Sequence, residues 1–415
     1  MKDQTTNPLK TIPLIDLSKH HQETNSLTQA LAISLASQQA FSAVYLGSES
    51  EGITKTQEQY ILFVANLCDA KISGNSVGSK ELFFIPQKPF DNKKISAIDS
   101  CFSEPQHISQ IMKIILPTLL ISEKKVTCEI EGSTFHKDHL SLQSYKEAVL
   151  RLFSFQINLL DVSIPQEGVY PEKGLCKIII QSKHSLETIS PIEITKKPEL
   201  ISLKTQATFP KEYVSEVEQR IIEKTISISL SKKTTPFQLQ TRTQNLGQPS
   251  FWCSTYAFFG DENGFDNDHA FVLYKDKEFS LTENMDSNII AYGENCLKEF
   301  QEKELTKEAL EHILPVLLCT GGSVAINKSH AIDNSIVSLQ YLAEKILDVK
   351  SSIKDDEFIT KGFAEKNIKL LEEEKANKEK LAQEKQKEKQ KEKQKEKEEE
   401  EEEEEEKNTI SIDEL

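Results

Sequence analysis

His330 stands in a stretch that combines an imidazole with the backbone features that hold a phosphate. The order is Glu311-His312-Ile313-Leu314-Pro315, then Gly321-Gly322, then Ser329-His330-Ala331-Ile332-Asp333-Asn334. Apolar spacing predicts a helix over Lys307 to Cys319, a Gly-Gly turn, a short strand over Ser323 to Ser329 and a second helix over Asn334 to Leu347. His330 is thereby delivered to a strand-to-helix junction. A side chain there lies beside free backbone N–H groups and the positive end of a helix dipole, where a phosphate sits well. Imidazole is also a competent nucleophile at phosphorus near neutral pH. On position alone, a polar loop residue or a weak helix cap suits the placement better.

Three segments share a pattern of helix, strand and helix. The first has helical spacing over Leu27 to Ala36, a strand at Phe41 to Leu46, a helix from Thr54 to Cys68 and a strand at Glu81 to Pro86. The second has Ile108 to Ile121, Lys125 to Glu131 and Leu142 to Leu152, then strands at Ile157 to Ile164 and Leu175 to Gln181. The third is the stretch that holds His330. Each unit has an apolar sheet face and two amphipathic helices, so it needs neighbours to close a core. The expected fold is α/β (α+β): three repeated two-helix, four-strand units in a large domain, with a smaller α/β domain inserted. The boundaries read as 1–184 for the first two repeats, 185–304 for the insert, 305–350 for the third repeat and 351–415 for a charged tail. Within the insert, the spacing predicts a helix at Glu212 to Lys224 and strands at Ile226 to Leu230 and Phe237 to Arg242. A hairpin of Phe251 to Phe259 with Ala270 to Tyr274 and a helix over Asn288 to Glu302 complete it.

Composition narrows the function classes. The 415 residues carry a formal net charge of −16. Residues 371–415 hold 19 acidic and 11 lysine side chains, a balance of −8, including nine consecutive glutamates from Glu398 to Glu406. The body is thus only mildly acidic, which argues against a broad basic face for duplex nucleic acid but leaves room for a pocket that takes one phosphorylated end. The tail reads as a solvated helix, or coiled coil, over its Gln-Lys-Glu-Lys repeats, and as disordered where glutamates repel one another. Seven scattered cysteines without metal spacing predict reduced core thiols, no disulfide partner and a cytoplasmic setting. The N-terminal residues lack an apolar signal core and no run reaches membrane-spanning length, so no membrane partner is expected. The terminal Ile412-Asp413-Glu414-Leu415 is only loosely similar to an ER-retention signal and is set aside. Nothing in the sequence sets an oligomeric state.

Across roughly residues 10–350 the chain resembles the RNA 3′-terminal phosphate cyclases. The family's opening run into an Ala-Leu-Ala-Leu-Ser helix is similar to Asn25-Ser26-Leu27-Thr28-Gln29-Ala30-Leu31-Ala32-Ile33-Ser34. Cys68-Asp69-Ala70, Gly78-Ser79-Lys80-Glu81-Leu82, Leu116-Pro117-Thr118-Leu119 and Gly168-Val169-Tyr170-Pro171 follow in the family's order. The family's Asp-Gln-Leu-Leu-Pro, Gly-Gly and His-x-x-Thr-Asn elements match Glu311 to Pro315, Gly321-Gly322 and His330 to Asn334. The resemblance implies three repeats, each like the C-terminal domain of a translation initiation factor, with a smaller domain before the third. It implies that His330 attacks the α-phosphorus of ATP, that AMP passes to an RNA 3′-phosphate, and that the 2′-hydroxyl then closes a 2′,3′-cyclic phosphate. Glu311 would orient His330 or help hold Mg2+ or Mn2+. Lys113, His312, Asn25 and Asn334 are the nucleotide- and phosphate-binding candidates, and the RNA 3′ end is the expected partner.

The family's arginines are replaced: one falls at Thr28, and a pair falls at Tyr45 and Ser48. Its mid-helix glutamine falls at Lys113. Arginine forks bind phosphate bidentately, and each lost charge-assisted contact costs about 1.5–3 kcal/mol. Two functions of different class follow: an adenylate-transfer enzyme working through His330, or a non-catalytic, cyclase-like RNA or ribosome-biogenesis binding factor. Other residues have weaker patterns. Asp261, Asn263, Asp266 and Asp268 lack the spacing of a calcium loop and read as a hairpin turn. His136 and His139 lack a third metal ligand, and His20-His21 reads as an exposed turn. Trp252 and its aromatic neighbours read as the insert's core.

Overall fold

Helix α1 (Asn25–Ser37) has no polar face: Ser26 to Ser37 are all buried. A helix buried on every side belongs in the middle of a domain, and α1 is packed against four others. These are α2 (Lys55–Cys68), α3 (Ile108–Leu120), α7 (Lys307–Thr320) and α8 (Asn334–Leu342), and α3 also packs on α7. The computed structural model describes residues 12–17, 25–44, 52–97, 102–122, 125–153, 157–183, 192–194, 199–231, 235–260, 271–281, 284–302, 305, 307–326, 334–354 and 357–363. All of them lie in one compact unit, Met1–Glu365. The charged tail expected from the sequence falls almost wholly outside these residues.

Among the described residues, the mixed α/β architecture is built on four sheets. The first runs β1 (Leu14–Asp16), β2 (Phe41–Val44), β4 (Glu81–Ile85), β3 (Lys71–Ser73), with β1 parallel to β2 and the rest antiparallel. Helix α2 (Lys55–Cys68) connects β2 to β3 and opens with a capping box between Thr54 and Gln57. The second sheet is β5 (Val126–Gly132), β7 (Gly174–Ser182), β6 (Ile157–Gln166), all antiparallel. Between β5 and β6, helix α4 starts as Leu142–Ser144 and continues as a π-helical turn, Tyr145–Leu150.

Another sheet runs β8 (Ile192–Ile194), β13 (Gly322–Ala325), β15 (Glu357–Thr360), β14 (Ser351–Lys354). Its pairing sequence, one parallel contact followed by two antiparallel ones, is that of the first sheet. Two features differ from the sequence reading. The strand β8 lies inside the range assigned to the insert yet pairs with β13. The β14–β15 hairpin lies past residue 350, where charge made the chain look like tail. At the end of α7, Gly321 takes φ +88° and its N–H donates to the Leu317 carbonyl at 2.7 Å. A Cβ there would meet the Lys361 carbonyl oxygen at 2.5 Å, so only glycine closes this turn against the hairpin.

The remaining sheet contains β10 (Phe237–Gln244), β9 (Glu199–Pro210), β11 (Ser250–Gly260) and β12 (Phe271–Ser280), in that order. Helices α5 (Glu216–Leu230) and α6 (Met285–Glu302) pack on each other beside it. The expected strand at Ile226 to Leu230 is instead the last turns of α5. Its alternation of isoleucine and serine imitates a strand, but Ile222, Ile226 and Leu230 recur every four residues and all three are buried. The helix start is set by the capping box of Ser215 and Glu218. The central strand β9 escaped the sequence reading altogether. Phe251, Tyr256, Phe258 and Phe259 are buried, as expected of core aromatics, while Trp252 stacks on Phe135 with ring centroids 5.0 Å apart.

This sheet is joined to α4 by a buried carboxylate. Asp276 on β12 accepts the Ser144 hydroxyl at 2.6 Å and the Ser141 N–H at 2.9 Å. Burial pushes the Asp276 pKa up, while the donors around it act in the opposite direction. Asp276→Ala removes the charged acceptor that both donors share, so it should cost about 2 kcal/mol of stability, read from urea unfolding midpoints. Asp276→Asn, which keeps an acceptor oxygen, should cost less.

Candidate active site

Helices α3 and α7 are buried along nearly their whole length, yet each carries one charged residue at their junction. Lys113 on α3 is 1% exposed and Glu311 on α7 is 11% exposed. The Lys113 Nζ donates to Glu311 Oε2 at 2.8 Å. The two are 198 residues apart in the chain. A buried charge is tolerated only with a partner, and here each provides one for the other.

His312 follows Glu311 on α7 and is 1% exposed. Its ring meets Tyr145 edge-on, with centroids 5.1 Å apart and planes at 75°. Neither ring nitrogen of His312, nor the Tyr145 hydroxyl, has a hydrogen-bond partner among the described residues. Tyr145 opens the π-helical turn of α4, an irregularity that sites of chemistry often use. Burial holds the His312 pKa well below the usual histidine range, and the Lys113 charge lowers it further. Burial also pushes the Tyr145 pKa up. Both side chains are therefore neutral near pH 7, and their buried polar atoms are available to a polar ligand.

A second group of imidazoles adjoins this one. His107 caps α3, its Nδ1 accepting the Ser109 N–H at 3.3 Å. His139 lies 5.5 Å from His107 and 4.6 Å from His136, centroid to centroid, and Tyr170 meets His136 edge-on. Burial lowers the pKa of His107 well below the ordinary value, with the neighbouring histidines adding to it. His139 is lowered to about 4, first by burial, then by His136 and Lys113, against a raising effect of Asp138.

The structure therefore brings Lys113, Glu311 and His312 together. His330 lies outside the described residues, between β13, which ends at Ala325, and α8, which opens at Asn334. Asn25 and Asn334 are the first residues of α1 and α8, with side chains outside the description. Thr28, at the position of a family arginine, is buried in α1; Tyr45 and Ser48 fall outside the described residues, as do Asp261 to Asp268 and His20-His21. Two residues escaped the sequence reading. His107 carried a signal, as a polar residue immediately before an apolar helix. Tyr145 carried none, because it sits in ordinary helical spacing.

Glu311 is engaged by an ammonium group, and among the described residues no three His, Cys, Asp or Glu side chains converge as metal ligands. The described cysteines are all free and buried, and burial pushes Cys128, Cys176, Cys296 and Cys319 up to about 12. No described helix is long and apolar enough to cross a membrane.

Comparison with known proteins gives a consistent picture. Three similar proteins, each named RNA 3′-terminal phosphate cyclase, come from Methanococcoides burtonii, Methanosarcina mazei and Thermococcus sibiricus. Identity to the first is 28% over 134 residues, 32% of this chain and 39% of the relative. For the second it is 31% over 110 residues, 26% of this chain and 30% of the relative. For the third it is 25% over 122 residues, 28% and 31%. These alignments span less than two fifths of the relatives' lengths. The family model described as RNA 3′-terminal phosphate cyclase matches residues 20–353, most of the chain. The chain belongs to the RNA 3′-terminal phosphate cyclase family.

Proposed function

We propose that this chain is an ATP-dependent cyclase of RNA 3′-terminal phosphates, working in the cytoplasm through a histidine–AMP intermediate. The imidazole of His330 attacks the α-phosphorus of ATP and pyrophosphate leaves. AMP passes to the 3′-phosphate of an RNA, the adjacent 2′-hydroxyl attacks that phosphorus, and AMP departs as the 2′,3′-cyclic phosphate closes. The observation that supports this reading is the cluster at the α3–α7 junction. Family membership alone does not require a buried ammonium beside a carboxylate, or unsatisfied polar atoms on His312 and Tyr145, but a polar, anionic ligand does use them. The three sheets that surround α1, α3 and α7 are read as three copies of one unit, with β9 to α6 as the insert.

A specific observation favours a second reading, a binding factor without catalysis. Thr28, at the position where the sequence resemblance puts a family arginine, is a buried residue of α1. One experiment separates the two. An RNA oligonucleotide with a labelled 3′-phosphate is incubated with the protein and ATP, and phosphatase resistance of the label reports cyclisation. The enzyme reading predicts resistance that His330→Ala abolishes. Tight binding of the 3′-phosphate end with no resistance, in wild type and variant alike, supports the binding factor instead.

A further inference from the structure

We propose that the outward face of the first sheet, around Phe83 and Lys71, is a platform for single-stranded RNA and takes bases upstream of the 3′ end. The proposal rests on reading RNA as the substrate of this chain, and it concerns a surface that the transfer chemistry does not use.

Strand alternation gives this sheet two unlike faces. Phe41, Ala43, Leu82 and Phe84 are buried in the core. Their neighbours along the strands point the other way, and Phe83 on β4 is 44% exposed and Leu14 on β1 57% exposed. The register sets them in one row across the sheet, with Leu14 beside Ser42, Ser42 beside Phe83 and Phe83 beside Ser73. A small serine on each side leaves the Phe83 ring without a bulky neighbour in its row, and the Ser42 hydroxyl donates to the Pro13 carbonyl. A half-solvated antiparallel sheet ordinarily turns polar side chains to water, so a largely exposed phenylalanine on an inner strand departs from the pattern.

Positive charge gathers beside that row. Lys71 on β3 pairs with Ile85 and so shares the face of Phe83. The segment after β4 folds back on the end of α2, where the Lys88 N–H donates to the Cys68 carbonyl and the Asp91 N–H to the Leu67 carbonyl. There Lys88 and Lys94 both bond the Asp69 carboxylate, two ammonium groups on one acid. From Asp69 to Lys94 the chain has five lysines against three acids, a balance of +2 in a protein of net charge −16. The second sheet turns Glu129 and Glu131 outward instead, paired with Lys177 and Lys173. The sheet of β13 to β15 presents Ser352, Lys354 and Ile359. Neither has an aromatic ring among its described outward strand residues. A ring beside a cationic rim suits a single strand, because a base stacks on the ring while phosphates meet the ammonium groups. A duplex keeps its bases stacked on each other and gains the charge contacts alone.

The test is fluorescence anisotropy of the full chain with an unstructured single-stranded RNA that ends in a 3′-hydroxyl. Such an end cannot be cyclised, so the result stands whether or not the chain transfers adenylate. Wild type should hold the single strand more tightly than a duplex of the same length. Phe83→Ala should weaken the single strand about tenfold, and Phe83→Trp, which keeps a ring, should retain it. Lys71→Glu should reduce the salt dependence of binding. Ile359→Ala, on the face of another sheet, should match wild type. Should Phe83→Ala fail to fold by circular dichroism, Phe83→Thr, a good strand former, takes its place. Folded Phe83 and Lys71 variants that bind like wild type would overturn the proposal, as would a wild type that binds no single strand or prefers the duplex. Self-association that depends on Phe83, without RNA binding, would assign the face to a second copy of the chain and overturn it too.

Discussion

Lys113→Met should lower the unfolding free energy by about 3–5 kcal/mol, because it removes the buried ammonium that pairs with the Glu311 carboxylate at the α3–α7 junction. Glu311→Leu should cost a similar amount by removing the carboxylate that the buried ammonium pairs with. Neither loss measures the worth of the ion pair itself, since desolvating both charges offsets most of their attraction. The informative variant is therefore the double substitution, Lys113→Met with Glu311→Leu. It should recover most of the stability lost in either single variant, to within about 1–2 kcal/mol of wild type. Urea unfolding of the four proteins gives the cycle directly. If each single variant costs no more than the double, the pair is not the buried, mutually dependent contact described here. The cycle thus separates what the pair adds to stability from any part it plays in function. That reasoning makes Lys113 and Glu311 the first residues to test for function.

The second large effect is sensitivity to acid. His107, His139 and His312 are held neutral in the fold by burial, and their folded pKa values lie below the unfolded value near 6.5. Protonation therefore favours the unfolded chain. Their contribution to stability is fully present above pH 6.5 and is lost as the pH falls through the folded values, about 4 for His139. Each whole pH unit of depression corresponds to about 1.4 kcal/mol, so His139 alone contributes on the order of 2 kcal/mol after allowance for its partial exposure. Unfolding midpoints should fall steeply between pH 6.5 and 4. His139→Gln should flatten that fall, since glutamine has no charge to gain. A pH profile in which His139→Gln tracks wild type would show that the cluster does not govern this window.

How much of this was legible in the sequence depended on whether one local period dominated. The apolar runs of α1, α3 and α7 are read correctly because burial on all sides leaves no competing pattern. The segment Ile226 to Leu230 was misread because its residue types favour strands while its packing follows a helix. Strand β9 and the β14–β15 hairpin were missed for different reasons. The first has alternating polar residues that look like linker, and the second has lysine and aspartate that merge with the charged tail. At the site, Glu311 and Lys113 were each singled out, but their contact was not. A bond between residues 198 apart exists only once α3 and α7 are packed side by side. His107, His139 and His312 come together in the same way, from three separate segments.

The role proposed for this junction is transfer of adenylate through His330. Its most direct test is incubation of the protein with ATP labelled at the α-phosphorus, with and without added Mg2+, followed by denaturation and gel separation. Label that stays on the chain, is released by acid and is absent from His330→Ala is the predicted result. A folded wild-type protein that retains no label above that of the variant, under either condition, would contradict it.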